Sequence, residues 1–117
     1  MDKNADEILS GLVLELRRGS IVLCVLSQLG SPTYGYNLVQ SLSEKGIPVD
    51  ANTLYPLLRR LEGQGLLQSS WEVEGPKPRK YYSTTKMGDE IYIRLRKVWA
   101  DTVKNMNALW EDKKDEQ

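Results

Sequence analysis

Asp50-Ala51-Asn52-Thr53-Leu54-Tyr55-Pro56-Leu57-Leu58-Arg59-Arg60-Leu61-Glu62 is the stretch on which the reading of this chain turns. Asp50 is a good N-cap, because a short carboxylate can accept from a free amide of the first turn. Leu54, Leu57, Leu58 and Leu61 then recur at i, i+3, i+4, i+7, the spacing of one helical face. With Asn52 set at zero and about 100° per residue, the leucines centre near 190°. Asn52, Tyr55, Pro56 and Arg59 fall within about 60° of zero, on the opposite side. One side of the helix is therefore dry. The other carries an amide, a phenol and a guanidinium, groups able to bond base edges and phosphates. A plain solvated face is the competing reading, but Tyr55 beside Pro56 is an odd choice for mere solvation. Pro56 lies beyond the first turn and removes one helical hydrogen bond.

Downstream, Gly63-Gln64-Gly65 stops this helix, and Leu67, Ser69, Trp71 and Val73 alternate as a strand. Glu74-Gly75-Pro76-Lys77-Pro78 follows, and its two prolines exclude a two-residue hairpin, so the loop should project. Arg79-Lys80-Tyr81-Tyr82-Ser83-Thr84 returns as a second strand. The expectation is a projecting hairpin with Lys77, Arg79 and Lys80 at its tip; charged protection of a sheet edge is the alternative. Upstream, three helices are expected. The first covers Ala5 to Arg18, with Asn4 and Glu7 at capping-box spacing and Leu9, Leu12, Val13 and Leu16 on one face. Ser20 caps a second, apolar almost all round and therefore central, which ends at Gly30. Ser31-Pro32-Thr33 makes a turn with Thr33 as N-cap of a third, running from Tyr34 to about Lys45 with Leu38, Val39 and Leu42 inward.

The last helix is expected to be long. Thr85 caps it, and it runs from Lys86 to about Trp110, about 37 Å. Ile91, Leu95, Val98, Trp99, Thr102, Val103, Met106, Leu109 and Trp110 form its stripe. A helix of this length overruns so small a domain, so the stripe implies a partner helix, most simply from a second copy. Glu111 to Gln117 reads as a charged, frayed tail.

Composition bounds the function. The 117 residues suit one domain. There is no histidine and a single cysteine, Cys24, so a structural zinc site is nearly excluded and an intrachain disulfide is impossible. Cys24 reads as a small buried hydrophobe. No catalytic residues, metal or cofactor are indicated, and nothing suggests an enzyme: no nucleophile–base constellation or cofactor motif is present. No eighteen-residue apolar run exists, so no membrane association is expected, and the acidic, polar start is unlike a secretory signal. A cytoplasmic location is the default. Net charge is zero, yet Arg59 to Lys86 holds six basic and three acidic residues, so that segment is +3 and the rest −3. A local basic surface on a neutral chain can still bind phosphates.

Helix, helix, recognition helix and two-stranded wing is the winged helix-turn-helix order. The fold expected is thus mainly α with a small β-hairpin, flanked by an N-terminal helix and a long C-terminal dimerisation helix. Tyr34-Gly35-Tyr36, Asn52 to Glu62, Gly65-Leu66-Leu67, and Arg79-Lys80-Tyr81-Tyr82 with Thr85 and Gly88 closely resemble the PadR family of bacterial transcriptional regulators, over about Gly19 to Trp110. The single short C-terminal helix is similar to the small subfamily that includes the lactococcal multidrug-responsive regulator.

The resemblance implies a dimeric repressor of a palindromic operator on double-stranded DNA. Asn52, Thr53, Tyr55 and Arg59 would read and clamp, Tyr36 would meet a phosphate, and Lys77, Arg79 and Lys80 would follow the backbone or minor groove. Ile21, Val25, Trp99 and Val103 match an inter-subunit pore that would take a small hydrophobic or aromatic effector, although Trp99 equally suits a core or interface. A full helix before Gly19 could cover that pore. The homodimer would meet through Leu9, Leu12, Leu16, Leu95, Val98, Thr102, Met106, Leu109 and Trp110. The chain then divides into an N-terminal contact helix (1–18), a DNA-binding unit (19–85) and a dimerisation helix with tail (86–117). The alternative function is a winged-helix module that binds protein and not DNA, a reading kept open by the zero net charge and the large apolar stripes.

Overall fold

The structure, a computed structural model, describes residues 3–115, with side chains as far as 111. Eight elements follow in order: α1 (Lys3–Arg18), α2 (Ile21–Gln28), β1 (Thr33–Tyr34), α3 (Gly35–Glu44), α4 (Ala51–Gly63), β2 (Leu67–Glu72), β3 (Arg79–Thr84) and α5 (Lys86–Asp115).

α4 forms as its sequence dictates. Asp50 stands outside the helix in extended conformation, and its carboxylate accepts from the Thr53 amide at 2.8 Å. Leu54, Leu58 and Leu61 are buried, and Leu57 packs at the margin. They meet Val25, Leu26 and Leu29 from the α2 region, Leu38 and Leu42 from α3, and Leu67 and Tyr82 from the sheet. That one cluster is the core, and it holds α4 by its inner side only. Asn52 and Pro56 are both exposed. The carbonyl that Pro56 leaves without its intrahelical donor, that of Asn52, is therefore open to water, which limits the cost of a mid-helix proline.

The sheet has three antiparallel strands in the order β1-β3-β2, so β3 is central. The hairpin was expected; β1 was not. Thr33 does not cap α3. It pairs with Tyr82 while Tyr34 pairs with Tyr81, and Tyr34 occupies the cap position without a side-chain cap bond. The physical reason lies at Leu29, whose carbonyl accepts from the Thr84 amide at 2.8 Å and from its hydroxyl at 3.2 Å. That bond draws the chain leaving α2 alongside β3, where backbone pairing takes precedence over a cap.

The start of α5 is fixed as expected. Thr85 Oγ1 accepts from the Gly88 amide at 3.0 Å and donates to the Gly65 carbonyl at 2.7 Å. Gly88 is required there, because a Cβ would collide with the Leu66 carbonyl. The helix runs past Trp110 to Asp115, so the tail expected from Glu111 is helical through that point, and the last two residues lie outside the described range, as do Met1 and Asp2. Its 30 residues span about 45 Å.

The N-terminal region departs further. α1 begins at Lys3, so Asn4 lies inside it and is not a cap. Ser20 is in helical conformation, and its hydroxyl donates back to the Arg17 carbonyl at 3.0 Å instead of capping α2. α2 is less central than its composition suggests. Val25 and Leu26 are buried, whereas Ile21, Val22, Leu23 and Cys24 stay half-buried, because the α1, α4 and α5 side chains that face them leave open grooves. α1 buries none of its residues. The chain measures 64 × 37 × 22 Å, with a radius of gyration of 17.7 Å against about 13 Å for a compact chain of this length.

Candidate nucleic-acid interface

The outer face of α4 presents Asn52, Thr53, Pro56, Arg59 and Arg60, all exposed. Tyr55 differs from the expectation. Its ring is half-buried against Gly35, where a Cβ would stand 2.8 Å from Tyr55 Cε1. α3 can approach α4 this closely only because residue 35 is glycine. Burial, helped by Tyr34 and Tyr82, raises the Tyr55 pKa above its ordinary value. Tyr55 thus braces α4 with an uncharged phenol and is less available for base reading than Asn52 or Arg59.

Tyr36 is exposed in the first turn of α3, and its hydroxyl accepts from Gln40 Nε2 at 3.0 Å. Its ring lies 6.3 Å from that of Tyr34, which in turn lies 5.9 Å from Tyr81. The Arg79 guanidinium sits 5.4 Å above Tyr34. Stacking of this kind holds a guanidinium in place while its edges stay free to donate. Tyr36, Tyr34 and Arg79 therefore make a continuous surface from α3 to the hairpin. Tyr34 and Tyr81 were not anticipated as supports, since only the register of β1 on β3 brings them together.

The three hairpin cations separate. Lys77 is exposed in the loop, whereas Arg79 and Lys80 open β3 rather than sitting at the tip. The pleat sends Arg79 and Tyr81 to one face and Lys80 and Tyr82 to the other. Lys80 Nζ lies 3.4 Å from Glu62, 5.1 Å from the Tyr82 ring centre and 5.9 Å from that of Trp71. Its pKa is raised, chiefly by Tyr82 and also by Glu62. Glu62 also accepts from the Ser69 hydroxyl. Lys80 is thus a brace between the hairpin and the end of α4, and its charge is partly spent. The role of Glu62 could have been suspected from its place at about 280° on the α4 wheel, next to Tyr55.

The four residues matched to an effector pore do not converge in the single chain. Val25 is 0% exposed, inside the core, and cannot touch a ligand. Ile21 faces grooves on the α1 and α4 side. Trp99 instead borders two shallow grooves of about 300 and 280 Å³, with Leu23 shared between them and Cys24 and Tyr92 in the second. Burial raises the Cys24 pKa, so its thiol stays protonated. Val103 lies further along α5, exposed.

Most of the expected interface residues are open. Leu9, Leu12 and Leu16 on α1 and Val98, Met106, Leu109 and Trp110 on α5 are all exposed. Thr102 is exposed too, with its hydroxyl bonded to the Val98 carbonyl. Leu95 differs: it packs against the chain's own core. Among the described residues no cluster suits a metal ion, and no helix is long and apolar enough to cross a membrane.

Comparison with known proteins agrees with this geometry. Residues 22–93 match the model of the transcriptional regulator PadR-like family. Transcriptional regulator Rv3488 of Mycobacterium tuberculosis is 37% identical over 75 residues, which cover 63% of this chain and 70% of that protein. The crystal structure of a PadR family regulator from Eggerthella lenta is 52% identical, with a TM-score of 0.90 over 94% of this chain and 98% of that one. Bacillus subtilis PadR, solved in complex with operator DNA, shares the fold at 20% identity and a TM-score of 0.60, over 64% of this chain and 44% of its own.

Proposed function

The chain belongs to the PadR-like family of transcriptional regulators, a family of regulators and not of enzymes, and on that premise we propose that it acts in the cytoplasm as a homodimeric repressor of a palindromic operator. The observation that carries this reading is the exposed face of α4. Asn52, Thr53 and Arg59 stand clear of the core while Leu54, Leu58 and Leu61 hold the helix from behind. A helix about 10–12 Å across fits a major groove about 12 Å wide. Asn52 suits adenine and Arg59 suits guanine or a phosphate. Tyr36, Lys77 and the stacked Arg79 supply backbone contacts around it; Lys80 and Tyr55 hold the elements in place.

The dimer forms through the apolar faces that the single chain leaves uncovered. On α5 these are Val98, Met106, Leu109 and Trp110; on α1 they are Leu9, Leu12 and Leu16. Residues 1–18 and 86–117 thus serve assembly, and 19–85 serve DNA. Two recognition helices about 34 Å apart would meet half-sites one turn apart. The grooves at Leu23, Cys24 and Trp99 adjoin the α5 contact, so an apolar or aromatic effector seated there would alter the pairing and shift the population away from DNA.

The test is binding to a duplex carrying the promoter of the protein's own gene, against a scrambled duplex, across a salt series. Sequence-selective binding with steep salt dependence is expected. Absence of binding to either duplex at low salt would overturn DNA recognition and favour a protein-binding module.

A further inference from the structure

The hairpin accounts for one flank of α4. Glu62, at about 280° on the helix wheel, meets it through Lys80 and Ser69, and Tyr55, at about 300°, packs against Gly35 of α3 on the same flank. The other flank, at about 80–140°, carries Thr53, Leu57 and Arg60. There Arg18 and Arg60 border one groove with Thr53 and Pro56, and Arg17 and Arg18 border the groove next to it. Three arginines from two helices thus border adjoining grooves beside the exposed face of α4. From this we propose that Arg17, Arg18 and Arg60 form a second phosphate-binding shelf, which takes the DNA strand on the side of α4 that the hairpin does not reach. The proposal rests on the DNA-binding reading above and extends it to α1.

Three observations support the shelf. First, the charges are unspent. All three arginines are exposed, and none of their guanidinium groups has a hydrogen bond or ion pair among the described residues, whereas Lys80 and Lys97 are paired with Glu62 and Asp101. Second, among the described residues Asp50 is the one carboxylate bordering these grooves, against three arginines, so the lining stays net positive while Asp50 caps α4 through the Thr53 amide. Helix dipoles favour cations in the last turns of α1 and α4, which accounts for each arginine singly but not for their place around adjoining grooves. Third, a helix lying in the major groove has a sugar–phosphate backbone along each flank. A basic hairpin on one side leaves the second strand to be met from the other, and free guanidinium groups match phosphate geometry. α1 leans on this shelf through Leu14, while its stripe of Leu9, Leu12 and Leu16 lies on another side of the helix, so one helix can serve both DNA and assembly.

The experiment compares the full chain with Arg17→Gln/Arg18→Gln, with Arg60→Gln, and with Lys104→Gln as a control on α5. Each is titrated with the promoter duplex and with the scrambled duplex over a salt series, and weighed by light scattering. Each lost phosphate contact should reduce the slope of log K against log salt by about 0.9, and weaken binding at ~0.1 M salt by about tenfold. The loss should be equal on both duplexes, because phosphate contacts carry no sequence information. Lys104→Gln should leave the slope unchanged. Slopes equal to that of the parent protein in both arginine variants, with parent binding intact, would overturn the shelf and leave the recognition face standing. A changed mass in the Arg17→Gln/Arg18→Gln variant would assign those arginines to the subunit contact and also overturn it. Failure of the parent protein to bind either duplex would overturn both readings together.

Discussion

α4 and α1 are close in length, 13 and 16 residues, and both place leucines at helical spacing. α4 buries three of its leucines; α1 buries nothing. Each fully buried leucine is worth about 1.5–3 kcal/mol, so α4 is held by its own chain and α1 is not. What separates them is the neighbourhood. α4 lies against α2, α3 and the base of the hairpin, all of which offer apolar side chains. α1 leaves the domain at Gly19 and meets only the edge of a groove. Amphipathic spacing therefore marks a face as apolar without stating what, if anything, covers it.

The largest test of this contrast removes a leucine from each helix. Leu58→Ala, at a position 0% exposed, should cost about 2–5 kcal/mol in denaturant unfolding. Leu12→Ala should change the unfolding of the dilute, dissociated chain by no more than about 0.5 kcal/mol. Equal losses would show that α1 packs within its own chain. A sharper test targets assembly. Leu12→Asp with Leu109→Asp should convert the proposed dimer to monomer on light scattering while the far-ultraviolet spectrum of the domain persists. Leu95→Asp would be a poorer choice, since Leu95 also supports the core. The smallest effect concerns the caps. Asp50→Ala should lower stability by about 1 kcal/mol, whereas Asn4→Ala should be close to silent, because Asn4 is inside its helix.

The parts of the fold that were legible are those in which local chemistry and the core agree. Asp50, the α4 leucines, the projecting hairpin and the Thr85 cap all follow from short-range rules that packing then reinforces. The parts that were not legible depend on distant partners. β1 exists because Leu29 bonds Thr84, fifty-five residues away. Lys80 and Arg79 look alike in sequence, yet the pleat gives one to Glu62 and the other to Tyr34. Ser20 had the right identity for a cap and the wrong backbone conformation. The site divides in the same way: Asn52, Pro56 and Arg59 stand where the helix wheel puts them, whereas Tyr55 turns inward because residue 35 lacks a side chain.

The close contact of Gly88 with the Leu66 carbonyl has a mechanical consequence. It ties the root of α5 to the turn that ends α4, with no side chain between them to act as a cushion. A rod about 45 Å long pivoting there moves its far end by about 0.8 Å for each degree of tilt. If two chains are joined along such rods, the separation of their α4 helices is geared to the angle at that single joint. A bulkier residue at position 88 would then change the gauge of the pair before it changed any surface that touches DNA.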